Sequence, residues 1–256
     1  MPSLEGKVAI VTGASRGLGA GMALELARQG AKVMLTYTSD SSAKKVDDLI
    51  TQINQLPTNP SAHSCKVDLS TLDAPTTVLA ALDAWLGPSS RIDILVNNAG
   101  VEVVKGLNEF TISDYNKVYD LNVRGPLVLT SALLPRFSDA NNRIINIGSV
   151  AARAGFSRLG LYCSSKAALE GLTRVWAAEL GQNGTTVNQV NPGPVQTEML
   201  DSIPKELIAA QKAATPVGNR VGTVEEIARI VAWLASPEAS WVSGQVVSAS
   251  GGWAMY

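Results

Sequence analysis

Histidine, cysteine and charge are all scarce in this chain, and each shortage narrows what it can do. His63 is the sole histidine in 256 residues, so a histidine-clustered metal site is excluded and a Ser-His-Asp hydrolase would have to rely on that one side chain. Two cysteines, Cys65 and Cys163, build no disulfide framework and are too few for a four-ligand zinc site. They read as reduced thiols of a cytoplasmic protein. Charged residues make up 17% of the chain with a formal net charge of −1, which argues against a nucleic-acid surface and against polybasic membrane contact. No apolar run is long enough to span a bilayer, and the first one, Val8 to Val11, is too short for a signal peptide. What is abundant is apolar residue, 46%, in a length that fits one α/β domain with a sizeable core.

Short apolar runs alternate with longer helical patterns. Strands are expected at 8–11, 32–37, 63–67, 92–97, 143–148, 185–190 and 245–249. Helices are expected at 17–30, 43–56, 72–86, 112–137, 161–180, 205–213 and 224–234. Pro126 and Pro135 fall inside the 112–137 segment and predict a kink or broken ends there. Runs such as Ile94-Leu95-Val96 are apolar throughout, as strands buried on both faces are. Strands of that kind, each separated by a helix, imply a doubly wound parallel sheet with helices on both faces.

The first strand runs into Thr12-Gly13-Ala14-Ser15-Arg16-Gly17-Leu18-Gly19. Glycines let backbone approach a phosphate, and the helix beginning here points free N–H groups at the anion. The spacing is Gly-x3-Gly-x-Gly, unlike the commoner Gly-x-Gly-x-x-Gly. A dinucleotide site usually places an acid at the end of the second strand to bond a ribose 2′-hydroxyl. Here Tyr37, Thr38 and Ser39 stand at that end, with no acid before Asp40, while Arg16 sits in the turn. A guanidinium suits a 2′-phosphate, and the Tyr37 and Ser39 hydroxyls could add bonds to it, so NADP(H) is expected over NAD(H). The plainer alternative is Arg16 as a solvated surface charge.

Tyr162 and Lys166 are four apart on the expected helix 161–180 and project from one face, off its apolar stripe through Leu161, Ala168, Leu169, Leu172, Trp176 and Leu180. An ammonium one turn away favours a phenolate, so the phenol is expected to be lowered towards neutrality and to serve as a general acid and base. Ser149 follows the apolar run of the fifth strand and is expected to face that helix.

Taken together, the glycine turn, Asn97-Asn98-Ala99-Gly100, Asn122, Ser149, Tyr162-x-x-x-Lys166 and Asn191-Pro192-Gly193-Pro194 resemble the short-chain dehydrogenase/reductase family in order and rough spacing, over nearly the whole length. The resemblance implies a single doubly wound domain, 1–256, with seven parallel strands. It also implies roles. Tyr162 would exchange a proton with the carbonyl oxygen as hydride moves to or from the nicotinamide, and Ser149 would orient that oxygen. Lys166 would bind the nicotinamide ribose and lower the tyrosine, with Asn122 holding a water behind it. Asn98, Ala99 and Gly100 would line the cofactor, Asp68 and Leu69 would flank the adenine, and Pro192, Gly193, Val195 and Thr197 would seat the carboxamide. Plainer roles exist for some of these: Asn98 and Asn122 could satisfy backbone groups, and Asp68 could be a helix-entry residue. Enoyl reductases of the family space tyrosine and lysine farther apart, which favours carbonyl chemistry.

The segment at about 193–222, with Met199, Leu200, Ile203, Leu207 and Ile208, reads either as an apolar-lined substrate lid or as a helix packed on the body. Trp253, Met255 and Tyr256 could complete the pocket or an interface. The Tyr37-Thr38-Ser39 end, the Arg16 turn and Gly251-Gly252-Trp253 are most similar to reductases acting on aromatic or polyketide ketones. Reduction of 3-oxoacyl groups and oxidation of sugars stay open, as does a non-catalytic NADP(H)-binding sensor. The resemblance further implies a homotetramer taking a small carbonyl or alcohol substrate. An α/β-hydrolase is a weaker rival, because Ile147-Gly148-Ser149-Val150-Ala151 lacks the second glycine of a nucleophile elbow.

Overall fold

A computed structural model describes residues 3–201 and 205–256, with all their side chains except those of Met199 and Asp201. Ile203, named above in the possible lid, lies outside the described residues, and so does the Met199 side chain. Seven strands are found among the described residues: β1 (Val8–Val11), β2 (Lys32–Tyr37), β3 (Ala62–Lys66), β4 (Ile94–Asn97), β5 (Arg143–Ile147), β6 (Thr186–Pro192) and β7 (Val246–Ala249). They pair in the order β3-β2-β1-β4-β5-β6-β7, every pair parallel. The winding direction reverses between β1 and β4, so a crevice opens beyond the carboxyl ends of those two strands, where such sheets bind ligands.

The helices are α1 (Gly17–Arg28), α2 (Ala43–Asn54), α3 (Ala74–Leu86), α4 (Ile112–Tyr119), α5 (Gly125–Leu133), α6 (Gly160–Leu180), the short α7 (Glu198–Asp201), α8 (Lys205–Ala213) and α9 (Val224–Ala235). Alternate side chains of each strand point to opposite faces and divide the core in two. Ala9, Val11, Val33 and Leu35 meet Met22 and Leu26 of α1, Ile53 of α2 and Val231 of α9 on one face. Ile10, Met34 and Leu95 meet Val78 and Leu82 of α3, Leu129 of α5 and Trp176 of α6 on the other.

Two elements differ from expectation. The 112–137 segment does not break at its prolines. It breaks at Asp120–Arg124, a π-helical turn in which the Gly125 N–H reaches the Asp120 carbonyl. Such turns distort a helix where a functional side chain must be aimed, and here the buried residue is Asn122. Pro126 then opens α5, where its missing N–H is an orphan in any case, and Pro135 lies in a closing 3₁₀ turn. Secondly, β6 runs two residues past the expected end, because Asn191 and Pro192 continue the register against Ser248 and Ala249 of β7.

Candidate active site

The glycine turn sits at the crevice mouth. Thr12, the last apolar-strand neighbour, organises it. Its hydroxyl accepts from the Asn98 N–H at 2.8 Å and the Ala99 N–H at 3.0 Å. The Asn98 amide in turn donates to the Thr12 and Gly13 carbonyls at 2.8 and 3.1 Å. The Thr36 hydroxyl accepts from the Gly13 N–H at 3.2 Å. Gly13 and Gly17 have φ of +63° and +54°, left-handed values that disfavour any side chain. A Cβ on Gly19 would lie 2.3 Å from the Gly13 carbonyl oxygen and 2.6 Å from the Asn98 amide nitrogen, so α1 enters the turn at backbone contact. Sequence reasoning passed over Thr12 and Thr36; a strand-end threonine carries no signal by itself.

A cleft of ≈ 340 Å³ opens above the turn. Its walls include Gly13, Ser15, Arg16, Gly17, Leu18, Gly19, Tyr37, Ser39, Leu69, Asn98, Ala99, Gly100 and Thr197, all anticipated, together with Glu198, which was not. Asp68 is not on the wall. It is exposed, and its carboxylate accepts from the Ser70 N–H and hydroxyl at 2.9 and 2.7 Å, which fixes the loop after β3, six residues short of the α3 start at Ala74. Arg16 is half exposed and lies 3.6 Å from the Glu198 carboxylate, which also takes Lys45 at 2.6 Å. These two cations hold Glu198 below the usual carboxylate range, the Lys45 hydrogen bond chiefly.

Beyond the turn, Ser149 and Tyr162 line a second cleft of ≈ 240 Å³ with Pro192, Gly193 and Val195. Leu18 and Thr197 belong to the walls of both, so the two clefts are continuous. Ser149 lies two residues past the end of β5 and caps a 3₁₀ turn, its hydroxyl accepting from the Ala151 N–H at 3.1 Å. Lys166 lies one turn along α6 from Tyr162 and is only 4% exposed. Its ammonium donates to the Ile147 carbonyl at 2.8 Å and stands 5.7 Å from the centre of the Tyr162 ring. Asn122 meets it behind Gly100: a Cβ on Gly100 would lie 3.3 Å from both Asn122 Oδ1 and Lys166 Nζ. The Asn122 side chain is fixed by the Val101 N–H and carbonyl, both at 2.9 Å, and by Ser165 at 3.0 Å.

The phenol departs from expectation. Burial pushes Tyr162 up to about 12, against a lowering hydrogen bond with Ser149, and the charges of Glu102 and Cys163 add to the rise. Burial also pushes Lys166 down to about 8. Desolvation penalises each charged form, and in the protein alone it outweighs the attraction that the four-residue spacing brings.

Asn191 ties the site to the end of the chain. Its side-chain Oδ1 accepts from the Ser149 N–H at 3.1 Å and the Gln189 amide at 2.7 Å, and its side-chain Nδ2 donates to Glu170 and to the Tyr256 hydroxyl, both at 2.9 Å. Arg153 packs 4.2 Å over the Tyr256 ring and binds Glu170 at 3.0 Å. Trp253 stacks on Phe156 at 5.5 Å, and both line the second cleft. Tyr256→Phe keeps the ring and deletes the acceptor, a loss of about 1 kcal/mol. It is expected to lower kcat about fivefold with the cofactor KM unchanged. Steady-state kinetics beside a thermal melt check this, and an unaltered kcat would mean that Glu170 alone holds the amide.

Comparison with known proteins agrees with this arrangement. A family described as enoyl-(acyl carrier protein) reductase matches residues 13–254. The short-chain dehydrogenase/reductase FrzI of Cladobotryum sp is 42% identical, over 98% of this chain and 97% of its own. The hydroxynaphthalene reductase-like protein Arp2 of Metarhizium brunneum is 37% identical, over 98% of this chain and 96% of its own. A blue fluorescent protein from a metagenomic library, solved in complex with NADPH, superposes with a TM-score of 0.90 at 37% identity, covering 99% of this chain and all of that one. Matches of this extent, on a parallel sheet that brings the glycine turn, Ser149 and Tyr162 to one continuous cleft with Lys166 buried beside the phenol, place the chain in the short-chain dehydrogenase/reductase family.

Proposed function

We propose that the protein is an NADP(H)-dependent reductase or dehydrogenase that interconverts a ketone and a secondary alcohol, its substrates being aromatic or polyketide-type ketones. The observation that carries this reading is the continuity of the two clefts through Leu18 and Thr197, with Ser149 and Tyr162 in the second. The residues of the first cleft fit NADP(H). The glycine turn admits a pyrophosphate at backbone distance, and Arg16, Tyr37 and Ser39 offer a cation and two hydroxyls where a 2′-phosphate would lie. When bound, the nicotinamide supplies or accepts the hydride. Ser149 holds the carbonyl oxygen against Tyr162, and the Tyr162 hydroxyl gives its proton to that oxygen as the carbon gains hydride, or takes it back in oxidation. Lys166 faces the phenolate that results, and Asn122 holds the water through which a proton returns. Pro192, Gly193, Val195 and Thr197 seat the carboxamide, and the segment at about 193–222 covers the substrate as a lid. The aromatic preference is supported by Phe156 and Trp253 in the wall and by the hydroxynaphthalene reductase-like relative. The four-residue spacing of Tyr162 and Lys166 favours carbonyl over double-bond reduction, whatever the description of the matching family.

Initial rates with NADPH and NADH across aromatic, aliphatic and sugar carbonyls test this. Aromatic ketones with NADPH are expected to be turned over best. Equal or better efficiency with NADH would reject the cofactor assignment, and NADPH binding with no carbonyl consumed would favour a sensor. Arg16→Ala is expected to raise the NADPH KM roughly 10- to 30-fold, the worth of one charge-assisted bond to phosphate, and to leave the NADH KM within about twofold.

A homotetramer in the cytoplasm completes the reading. Leu127 near the start of α5 and Leu134 just past its end, Val175 on α6, Trp233 on α9 and Trp241, at 99%, are large apolar side chains left exposed by one chain. Cys65 and Cys163 are free thiols, and no described helix is long and apolar enough to cross a membrane. Sedimentation at micromolar concentration would contradict the tetramer if it gave a monomer.

A further inference from the structure

Glu102 lines the cleft that holds Ser149 and Tyr162, two residues past Gly100 on the chain leaving β4. It is the only acidic or basic side chain in that described wall, which is otherwise backbone, apolar residues and a few neutral polar groups. Glu198, on the wall of the neighbouring cleft, is paired with Lys45 and Arg16. Glu102 accepts no hydrogen bond and joins no ion pair among the described residues. A half-buried carboxylate beside Phe156, Leu159 and Trp253 has lost part of its hydration and gained no protein donor in return. It is also poorly suited to help the chemistry, since its charge works against ionisation of the Tyr162 phenol. An acceptor-only group without a donor, in the wall of a substrate cleft, is satisfied when the ligand brings the donor.

We propose that Glu102 selects the substrate: a neutral aromatic ketone bearing a phenolic or enolic hydroxyl on the same ring system as the carbonyl, that hydroxyl donating to the Glu102 carboxylate while Ser149 and Tyr162 hold the carbonyl oxygen. This rests on the ketone-reductase reading and narrows it. The two ends of the substrate are then read by groups of opposite need, the carbonyl by donors and the hydroxyl by an acceptor. The same charge turns away ketones carrying a carboxylate, since two like charges in a cleft of low dielectric repel strongly. A cationic substrate would also satisfy Glu102. The neutral donor is favoured because an ammonium would have to be stripped of water in a mostly apolar cleft, whereas a phenol is not.

The test uses the full chain with NADPH and four bicyclic aromatic ketones alike except for one substituent: hydroxyl, methoxyl, carboxylate or aminomethyl, with the unsubstituted ketone as reference. The wild-type protein is expected to favour hydroxyl over methoxyl by at least about 10-fold in kcat/KM, within the range of a hydrogen bond to a charged group. Glu102→Gln retains an acceptor and is expected to keep a preference of a few-fold, and Glu102→Ala to lose it. Both variants are expected to accept the carboxylate-bearing ketone at least about 10-fold better than wild type. Melting curves and NADPH fluorescence titrations on the variants exclude misfolding. An unchanged hydroxyl-to-methoxyl ratio in both variants overturns the proposal, as does a wild-type preference for an amine-bearing ketone over the hydroxylated one. If the reference ketone is reduced but no hydroxyl preference exists, Glu102 selection alone fails. If NADPH binds and no ketone is reduced, the reductase reading falls and the proposal with it.

Discussion

Tyr162→Phe is expected to lower kcat for ketone reduction about 10³-fold while leaving NADPH binding intact, the contribution of one general acid. The size follows from where the proton sits. A phenol pushed up to about 12 is protonated throughout the working range, so the resting protein holds the form that reduction needs. A weak acid donates only to a strong base, and the substrate oxygen becomes one as its carbon takes up hydride. The phenolate left behind is a charge in a buried place, and the Lys166 ammonium 5.7 Å from the ring centre is the group that meets it. At that separation, and at an effective dielectric of ~20, the attraction is ~3 kcal/mol. Removing the hydroxyl removes the donor with no equal substitute, because the other hydroxyl in the wall that faces the oxygen, Ser149, is an aliphatic alcohol and a far weaker acid than a phenol. Single-turnover rates measured beside NADPH fluorescence titration check the prediction. Retention of most of the activity would mean that another group donates the proton.

The fold was legible because several of its strands, β1 and β4 above all, are short apolar runs set between helical patterns. Val8–Val11, Lys32–Tyr37 and Lys205–Ala213 carry the bounds read from the sequence, and apart from the divided 112–137 segment the other expected elements shift by a few residues at their ends. The glycine turn and the four-residue step from Tyr162 to Lys166 were legible for a similar reason: each is a local spacing. What escaped depends on side chains that meet across the sheet. Asn97 and Asn146 sit in strands that read as apolar, yet the Asn97 amide donates to Asn146 at 2.9 Å and the Asn146 amide to Thr173 of α6 at 2.8 Å. That buried polar seam joins the sheet to the helix bearing Tyr162, and no periodicity marks it. Likewise the π-helical turn around Asn122 was misplaced onto the prolines, since a change in hydrogen-bond register leaves no mark in composition. Glu102 and Glu198 carry no motif in the sequence, and only folding sets one in the wall with the phenol and the other beside Arg16 and Lys45. The tyrosine's acidity was misjudged for the same cause: spacing reports the neighbouring charge, and only packing reports how much water is lost.

Lys166→Met is expected to abolish turnover, by about 10²-fold or more, and to make the folded protein more stable at pH 7. Both follow from one desolvated ammonium. A lysine held at about 8 instead of 10.5 carries an ionisation penalty of ~3 kcal/mol in the native state. The lost bond to the Ile147 carbonyl returns about 1–2 kcal/mol of that. The net gain of about 1–2 kcal/mol corresponds to a rise in Tm of about 2–6 °C for a chain of this size. The direction with pH is definite. Between about 8 and 10.5 the unfolded chain still binds the proton that the folded chain has released, so this group makes stability climb as pH rises through that window and withholds the full penalty's relief below it. Melting curves at pH 7 and pH 10 should therefore show the variant's advantage at the lower pH and little of it at the higher. Catalysis should move the opposite way. In the wild-type protein the ammonium that meets the phenolate disappears above about 8, so the rate of ketone reduction is expected to fall along an alkaline limb centred there, far below the titration of Tyr162 itself. A limb near 12, or a variant no more stable than wild type at pH 7, would show that the lysine is better solvated than its burial implies and that its charge comes without cost to the fold.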